Sequence, residues 1–179
     1  MDILFGNPIF SGRSPGPRGR ARASRGQQRS AQTAAEYTRH WGWTVELDGS
    51  ELRLVTGLGF DVLDVPEPVG CRALVRLERM GVRPGPVLAG PGGRALFLVA
   101  PHTAETLPDL LYKTGWDDAH LDLACHGAGS SVPAPPTPTT RWLRRPTAET
   151  AARPPEARLL LGTLAYACHR GVAELVGRH

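Results

Sequence analysis

The chain has 179 residues, of which 41% are hydrophobic and 21% are charged, and its formal net charge is +4. This composition excludes a collagen-like, supercharged or fully disordered protein and provides enough apolar residues for one globular core. The positive charge is concentrated near the N-terminus, because residues 1–30 contain six arginines and a single acid. We predict that this segment is a disordered arm whose arginines attract nucleic acid. These arginines are Arg13, Arg18, Arg20, Arg22, Arg25 and Arg29.

The cysteines and the apolar stretches bear on the cellular compartment. Cys71, Cys125 and Cys168 are far apart, and an odd number of cysteines cannot close a full disulfide set. The longest mostly apolar stretch, 159–168, is much shorter than the roughly 20 residues that a spanning helix needs. The first residues also lack the basic and apolar regions of a secretory signal. We expect a cytoplasmic protein without membrane contact.

Helices and short strands alternate along the predicted chain, and the predicted class is α+β with a mainly antiparallel sheet and flanking helices. The turn sequence Asp48-Gly49-Ser50 predicts a hairpin between the first two strands. We divide the chain into the arm 1–30, a domain over 31–147, and a linker with a C-terminal helix over 148–179. The predicted helices are 31–41, 69–80, 108–114 and 156–176. The predicted strands are 43–47, 52–56, the central 60–65, 85–89, 94–100, 120–124 and 129–134, with 140–143 as a candidate edge strand.

Acidic residues at strand ends are candidate metal ligands, because carboxylates are common ligands of divalent cations. Asp64 lies at the end of the strand in GFDVLDVPEP, but side chains two apart share a strand face and its neighbours at that spacing are Val62 and Pro66. Asp61 is three residues away and faces the other side. Asp122, in HLDLA, is a further candidate. Carboxylates that cap a turn or lie in solvent are the alternative interpretation.

The glycine-rich turn in PGGRALFLV has the form of a phosphate-binding turn, since Gly92 and Gly93 permit close approach to the backbone and Arg94 supplies charge. A plain hairpin turn is the alternative. Cys125 and His126 are adjacent and therefore point apart on a strand, so we predict no zinc site. The four tryptophans are able to stack on bases, but we expect them in the core or at its rim.

Several segments, in order, resemble one known family. They are AEYTRHWGWTVEL, LRLVTGLGFDVLDVPEPVGCRALVRLERMG, GPVLAGPGGRALFLVAP, LDLACHGAGSSVPAPPT and RWLRRPT. Together, over residues 33–147, they resemble the N-terminal domain of bifunctional DNA primase/polymerases, a branch of the archaeo-eukaryotic primase superfamily. The ending LAYACHR looks like that of small, stand-alone actinobacterial-type members.

The resemblance implies a strand ending in an Asp-x-Asp metal dyad, a Gly-Gly-x-His strand that binds phosphate, and a later aspartate that completes the metal site. Asp64 matches the first acid of the dyad, but Pro66 occupies the place of the second. Gly92 and Gly93 match the glycines, whereas Ala95 stands in place of the histidine. Asp122 matches the later aspartate. If the site is functional, the resemblance implies Mg²⁺ or Mn²⁺ at Asp64 and Asp122.

Three functions follow as hypotheses. We favour a degenerate, non-catalytic primase/polymerase-like domain that binds nucleic acid or nucleotide in a regulatory role. The first alternative is an active, metal-dependent DNA primase/polymerase, in which Glu67 or Asp61 replaces the missing acid. The second is a protein-interaction module, with a homodimer or another protein partner bound through the C-terminal helix. The apolar residues of that helix exceed one face: Leu159, Leu160, Leu161, Leu164 and Leu175.

Overall fold

The computed structural model describes residues 17–49, 51–117, 119–135 and 137–176, with their side chains between 27 and 171. In these residues the helices are α1 (Pro17–Trp41), α2 (Glu67–Arg79), α3 (Thr103–Thr114), α4 (Ala148–Ala152) and α5 (Arg158–Val176). The strands are β1 (Val45–Asp48), β2 (Glu51–Val55), β3 (Asp61–Pro66), β4 (Val87–Gly90), β5 (Arg94–Val99), β6 (Ala124–His126), β7 (Ser131–Pro133) and β8 (Arg141–Arg144).

The strands form two antiparallel sheets, which confirms the predicted α+β class. The larger sheet has the order β6-β3-β5-β4-β8, and the smaller one has the order β1-β2-β7. β3 is paired on both sides, as predicted for a central strand, and β8 is an edge strand. The predicted hairpin around Asp48 and Gly49 is present between β1 and β2.

The larger sheet has a different apolar layer on each face, because successive side chains of a strand point to opposite sides. Leu63 and Val65 of β3 pack with Phe97 of β5 and with buried residues of α2 and α5. Val62 and Leu98 face the other way and pack with the smaller sheet and α1. The molecule therefore has three layers, with the larger sheet in the middle.

The first turns of helix α5 bury three of its leucines against the rest of the chain. Leu160, Leu161 and Leu164 are fully buried, whereas Leu159 is half exposed. Glycine permits the close contact of the neighbouring helix α2 with the sheet, since a Cβ on Gly70 would lie 2.4 Å from the Cβ of Ala95. The predicted homodimer through the C-terminal helix stays a prediction. Leu160, Leu161 and Leu164 are already buried within the chain, and the side chain of Leu175 lies outside the described residues.

Three local predictions differ from the structure. Where we predict a disordered arm, the chain is helical from Pro17, and residues 1–16 lie outside the described part. Five of residues 17–30 are arginines, which favour a helix, although two glycines oppose it. α3 begins at Thr103 rather than at Pro108, and the Oδ2 atom of Asp61 accepts a hydrogen bond from the N–H of Ala104 in its first turn (2.8 Å). Asp122 precedes β6 instead of lying within a strand.

Candidate functional site

Asp64 and Arg94 come together through the pairing of β3 with β5. The register places Asp64 opposite Leu96 and Pro66 opposite Arg94, so the two charged residues are diagonal neighbours on one face of the sheet. The Nε atom of Arg94 donates to Oδ1 of Asp64 at 2.7 Å. Its Nη1 atom donates to both carboxylate oxygens of Asp122, at 2.9 and 3.0 Å. One guanidinium thus joins the two predicted acids, and we call these three residues the arginine clamp.

The carboxylate of Asp64 has a second partner on β6. His126 lies opposite Val62 in the pairing of β6 with β3, and its Nε2 atom is 2.9 Å from Oδ2 of Asp64. Both oxygens of Asp64 are therefore engaged, and its side chain is only 15% exposed. The sequence did not reveal that His126 contacts Asp64.

Electrostatic interactions within the clamp favour the protonated, charged form of Arg94. Burial lowers the pKa of Arg94, but the hydrogen bonds and charges of Asp64 and Asp122 outweigh it and raise the pKa above its ordinary value. The Asp122 end is more open, since its side chain is 56% exposed. The clamp therefore has a protected end at Asp64 and a solvated end at Asp122.

Helix α5 contacts the same region through Cys168. The Sγ atom of Cys168 donates to the carbonyl oxygen of Asp122 at 3.5 Å. Burial, with a contribution from the charge of Asp122, raises the pKa of Cys168 to about 11 although Arg94 lowers it. The thiol is therefore protonated at neutral pH, as a donor must be. Sequence reasoning missed this contact, because the two residues are distant along the chain.

The two acids considered as substitutes for the missing one do not join Asp64 and Asp122. Asp61 lies at the opposite end of β3, is 1% exposed and accepts from the first turn of α3. Glu67, the first residue of α2, forms an ion pair with Arg141. Neither of these two residues therefore adds a carboxylate to the clamp.

The turn between β4 and β5 contains Gly92 and Gly93 in a backbone conformation that favours glycine, but the charge of Arg94 beside it is already paired. Gly92 and Gly93 both have a φ of +70°, and a Cβ on either would meet no heavy atom within 4 Å. The N–H of Glu67 donates to the carbonyl oxygen of Gly93 at 2.6 Å. Arg94, which we predicted to contact phosphate, is neutralised by Asp64 and Asp122. In this structure the turn is a hairpin turn.

The observed residues do not fit the Mg²⁺ or Mn²⁺ that the resemblance implies at Asp64 and Asp122. An ion held by both carboxylates would have to take the volume that the guanidinium of Arg94 fills. In the part of the chain that the structure describes, no group of three His, Cys, Asp or Glu side chains has the arrangement of a metal site. We therefore assign the clamp no metal-dependent step.

A second region of interest lies where α1 meets β8. A cavity of about 330 Å³ is lined there by Tyr37, Trp41 and Trp142 together with Glu36, His40, Arg145 and Pro146. We call it the aromatic cleft. Trp43 is buried behind it at 3% exposure, and Trp41 and Trp142 are partly exposed, which agrees with the expectation of core and rim positions.

The predicted arm is described only in part. Arg13 lies outside the described residues, and Arg18, Arg20, Arg22 and Arg25 lie in the first half of α1. Arg29 is exposed on the same helix. Positions 18, 22, 25 and 29 follow one another at intervals of four, three and four, so they form one stripe along the helix.

Comparison of the chain with protein-family models, with curated proteins and with solved structures finds no match. Within the described part of the chain, no helix has the length and apolar content that crossing a membrane requires.

Proposed function

We propose that this chain is a non-catalytic, nucleic-acid-binding module with a primase/polymerase-like scaffold and a regulatory role. The observation that carries the proposal is the arginine clamp. The two acids that the resemblance assigns to metal chemistry are bound instead by Arg94 of the same chain.

The clamp opposes nucleotidyl transfer for an electrostatic reason. Two-metal catalysis needs carboxylates that hold two cations about 3.5–4 Å apart. Arginine stays protonated under all ordinary conditions, so its charge cannot be removed by a change of pH. Freeing Asp64 would leave a largely buried carboxylate without its main partner, which is costly. The site therefore favours a permanent ion pair over a metal-loaded state.

Nucleic-acid binding is supported by the charge on α1. Positions 18, 22, 25 and 29 lie on one face of α1 by their helical spacing, all four are arginines, and Arg29 is exposed. Arginines that neutralise phosphates release counterions, and this release drives association and makes it sensitive to salt. A tract of this kind binds the nucleic-acid backbone without reading sequence.

The test measures binding of a fluorescent single-stranded DNA 20-mer to the full chain by anisotropy between low and physiological salt. A variant with glutamine at positions 18, 22, 25 and 29 should bind more weakly. For single strands the slope of log K against log salt changes by roughly 0.7 for each phosphate contact. Replacement of all four arginines should therefore reduce the magnitude of this slope by up to about 3.

A matched control removes the same charge elsewhere. Arg72, Arg76, Arg79 and Arg83 have the same spacing on and after α2, and their replacement by glutamine should leave the slope unchanged. An equal loss in both variants would contradict the assignment to α1. Primer extension with Mn²⁺ that disappears in Asp64→Ala would contradict the non-catalytic proposal.

A further inference from the structure

We propose that the aromatic cleft binds one unstacked base of a single-stranded nucleic acid whose backbone follows the arginine stripe of α1. This inference rests on the proposed function and adds to it the strand type and the place where a base is held. The shape of the cleft, its polar groups and its alignment with the stripe support it.

Three aromatic residues line the cleft, Tyr37, Trp41 and Trp142, and the buried Trp43 contacts all three. The ring centroid of Trp43 lies 6.1 Å from those of Tyr37 and Trp41 and 6.2 Å from that of Trp142. The Oη atom of Tyr37 donates to the carbonyl oxygen of Pro135 at 2.9 Å, which holds the Tyr37 ring in place. The cleft volume of about 330 Å³ falls in the range of small-molecule clefts. Aromatic faces held in place in this way stack on any base, because every base has a π face.

The polar groups of the cleft match a nucleotide. Arg145 is exposed and near enough to Tyr37 to lower the pKa of its hydroxyl, although burial raises that pKa to about 12 overall. A guanidinium at the mouth suits a backbone phosphate. His40 is also exposed in the lining, and Glu36 supplies a carboxylate that can accept from the amino group of a base.

The arginine stripe leads to this cleft. The series 18, 22, 25 and 29 continues along α1 to positions 36 and 40, whose residues Glu36 and His40 line the cleft. With a rise of about 1.5 Å per residue, the stripe and the cleft together span roughly 33 Å of helix. A backbone bound along the stripe therefore delivers its bases to the aromatic walls.

The experiment compares two single-stranded 20-mers of equal charge, one with bases and one abasic at every position, binding to the full chain at one salt concentration. Base stacking predicts that the oligomer with bases binds about tenfold more tightly. Trp41→Leu and Arg145→Gln should reduce that preference. Trp116→Leu is the matched control, because Trp116 is also partly exposed but lies outside the cleft.

The outcomes separate the two proposals. Equal, salt-sensitive binding of both oligomers would overturn the base-binding cleft while leaving the proposed function standing. Absence of binding to either oligomer would overturn the proposed function itself. Equal binding of duplex and single-stranded DNA, equal binding of an acidic polypeptide, or a preference lost only in Trp116→Leu would each overturn the inference. The exposed Arg145 variant keeps the test valid if Trp41→Leu fails to fold.

Discussion

Arg94 shows how one side chain decides the chemistry of a site. It offers five N–H donors in a planar arrangement, and Nε and Nη1 are directed at two different carboxylates. Lysine would present a single charged centre and could not reproduce this geometry. The sequence identified Asp64, Asp122 and Arg94 one by one, but their association depends on the register of β3 and β5, which no local pattern specifies.

Replacing Arg94 should lower the free energy of unfolding of the whole domain. In Arg94→Met the carboxylate of Asp64 loses its main partner, and we expect the free energy of unfolding to fall by about 2–3 kcal/mol. The double variant Arg94→Met with Asp64→Asn should recover much of this loss, because the unpaired charge is gone. Urea denaturation measures both changes.

The control for this prediction is an exposed pair. The side chains of Arg83 and Glu149 are 75% and 72% exposed, and their Nη1 and Oε1 atoms are 3.2 Å apart. Arg83→Met should therefore cost less than about 1 kcal/mol. Equal effects of the two arginine substitutions would contradict the view that Asp64 depends on the clamp.

At the level of elements, local signals predicted most strands and turns. The hairpin around Asp48 and Gly49 and the strand ended by Pro66 follow from turn chemistry and from the missing donor of proline. The beginning of α3 was misplaced because it depends on a tertiary bond from Asp61 to Ala104. The packing of the helices likewise depends on which glycine lies against a neighbouring element. The spacing of glycines along the sequence does not show this.

Gly70 and Gly162 should respond in opposite directions to the same substitution. In Gly70→Ala the new Cβ would lie 2.4 Å from the Cβ of Ala95, so we expect a loss of about 1–3 kcal/mol in stability as α2 is pushed from the sheet. In Gly162→Ala the Cβ meets no atom within 4 Å, so better helix propensity should add about 0.5–1 kcal/mol. Thermal unfolding measures both, and a stabilising Gly70→Ala would refute the packing described for α2.

For the molecule as a whole, the sequence predicted the class and the antiparallel character better than it predicted the site. The fold class follows from the order of helices and strands along the chain, and hydrophobic periodicity in the local sequence predicts that order. The site combines β3, β5, β6, the segment before β6 and α5, and its contacts exist only after the layers have assembled. His126 and Cys168 are the clearest examples, because both were judged from their sequence neighbours alone.

The folded chain should lose stability at alkaline pH. Burial raises the pKa of Cys125 to about 12 and that of Cys168 to about 11. These groups keep their protons in the folded state when free thiols, near 9, have released them. The stability they contribute is complete below pH 9 and is lost as pH rises toward 11–12, by about 1.4 kcal/mol per unit and group.

Denaturation in urea at pH 8, 9 and 10 checks this expectation. The double variant Cys125→Ala with Cys168→Ala should show a shallower decline, since it removes the two groups responsible. Parallel declines in the two proteins would assign the effect to other groups, among them Tyr37, whose pKa burial also raises.

The position of α5 has a consequence for biosynthesis. A ribosome releases the strands of the larger sheet and α2 before α5, so the face formed by Leu63, Val65 and Phe97 emerges without the helix that covers part of it. Transiently exposed apolar surface and strand edges of this kind are the usual route to aggregation. We therefore expect the nascent chain to be most prone to aggregation before α5 has docked.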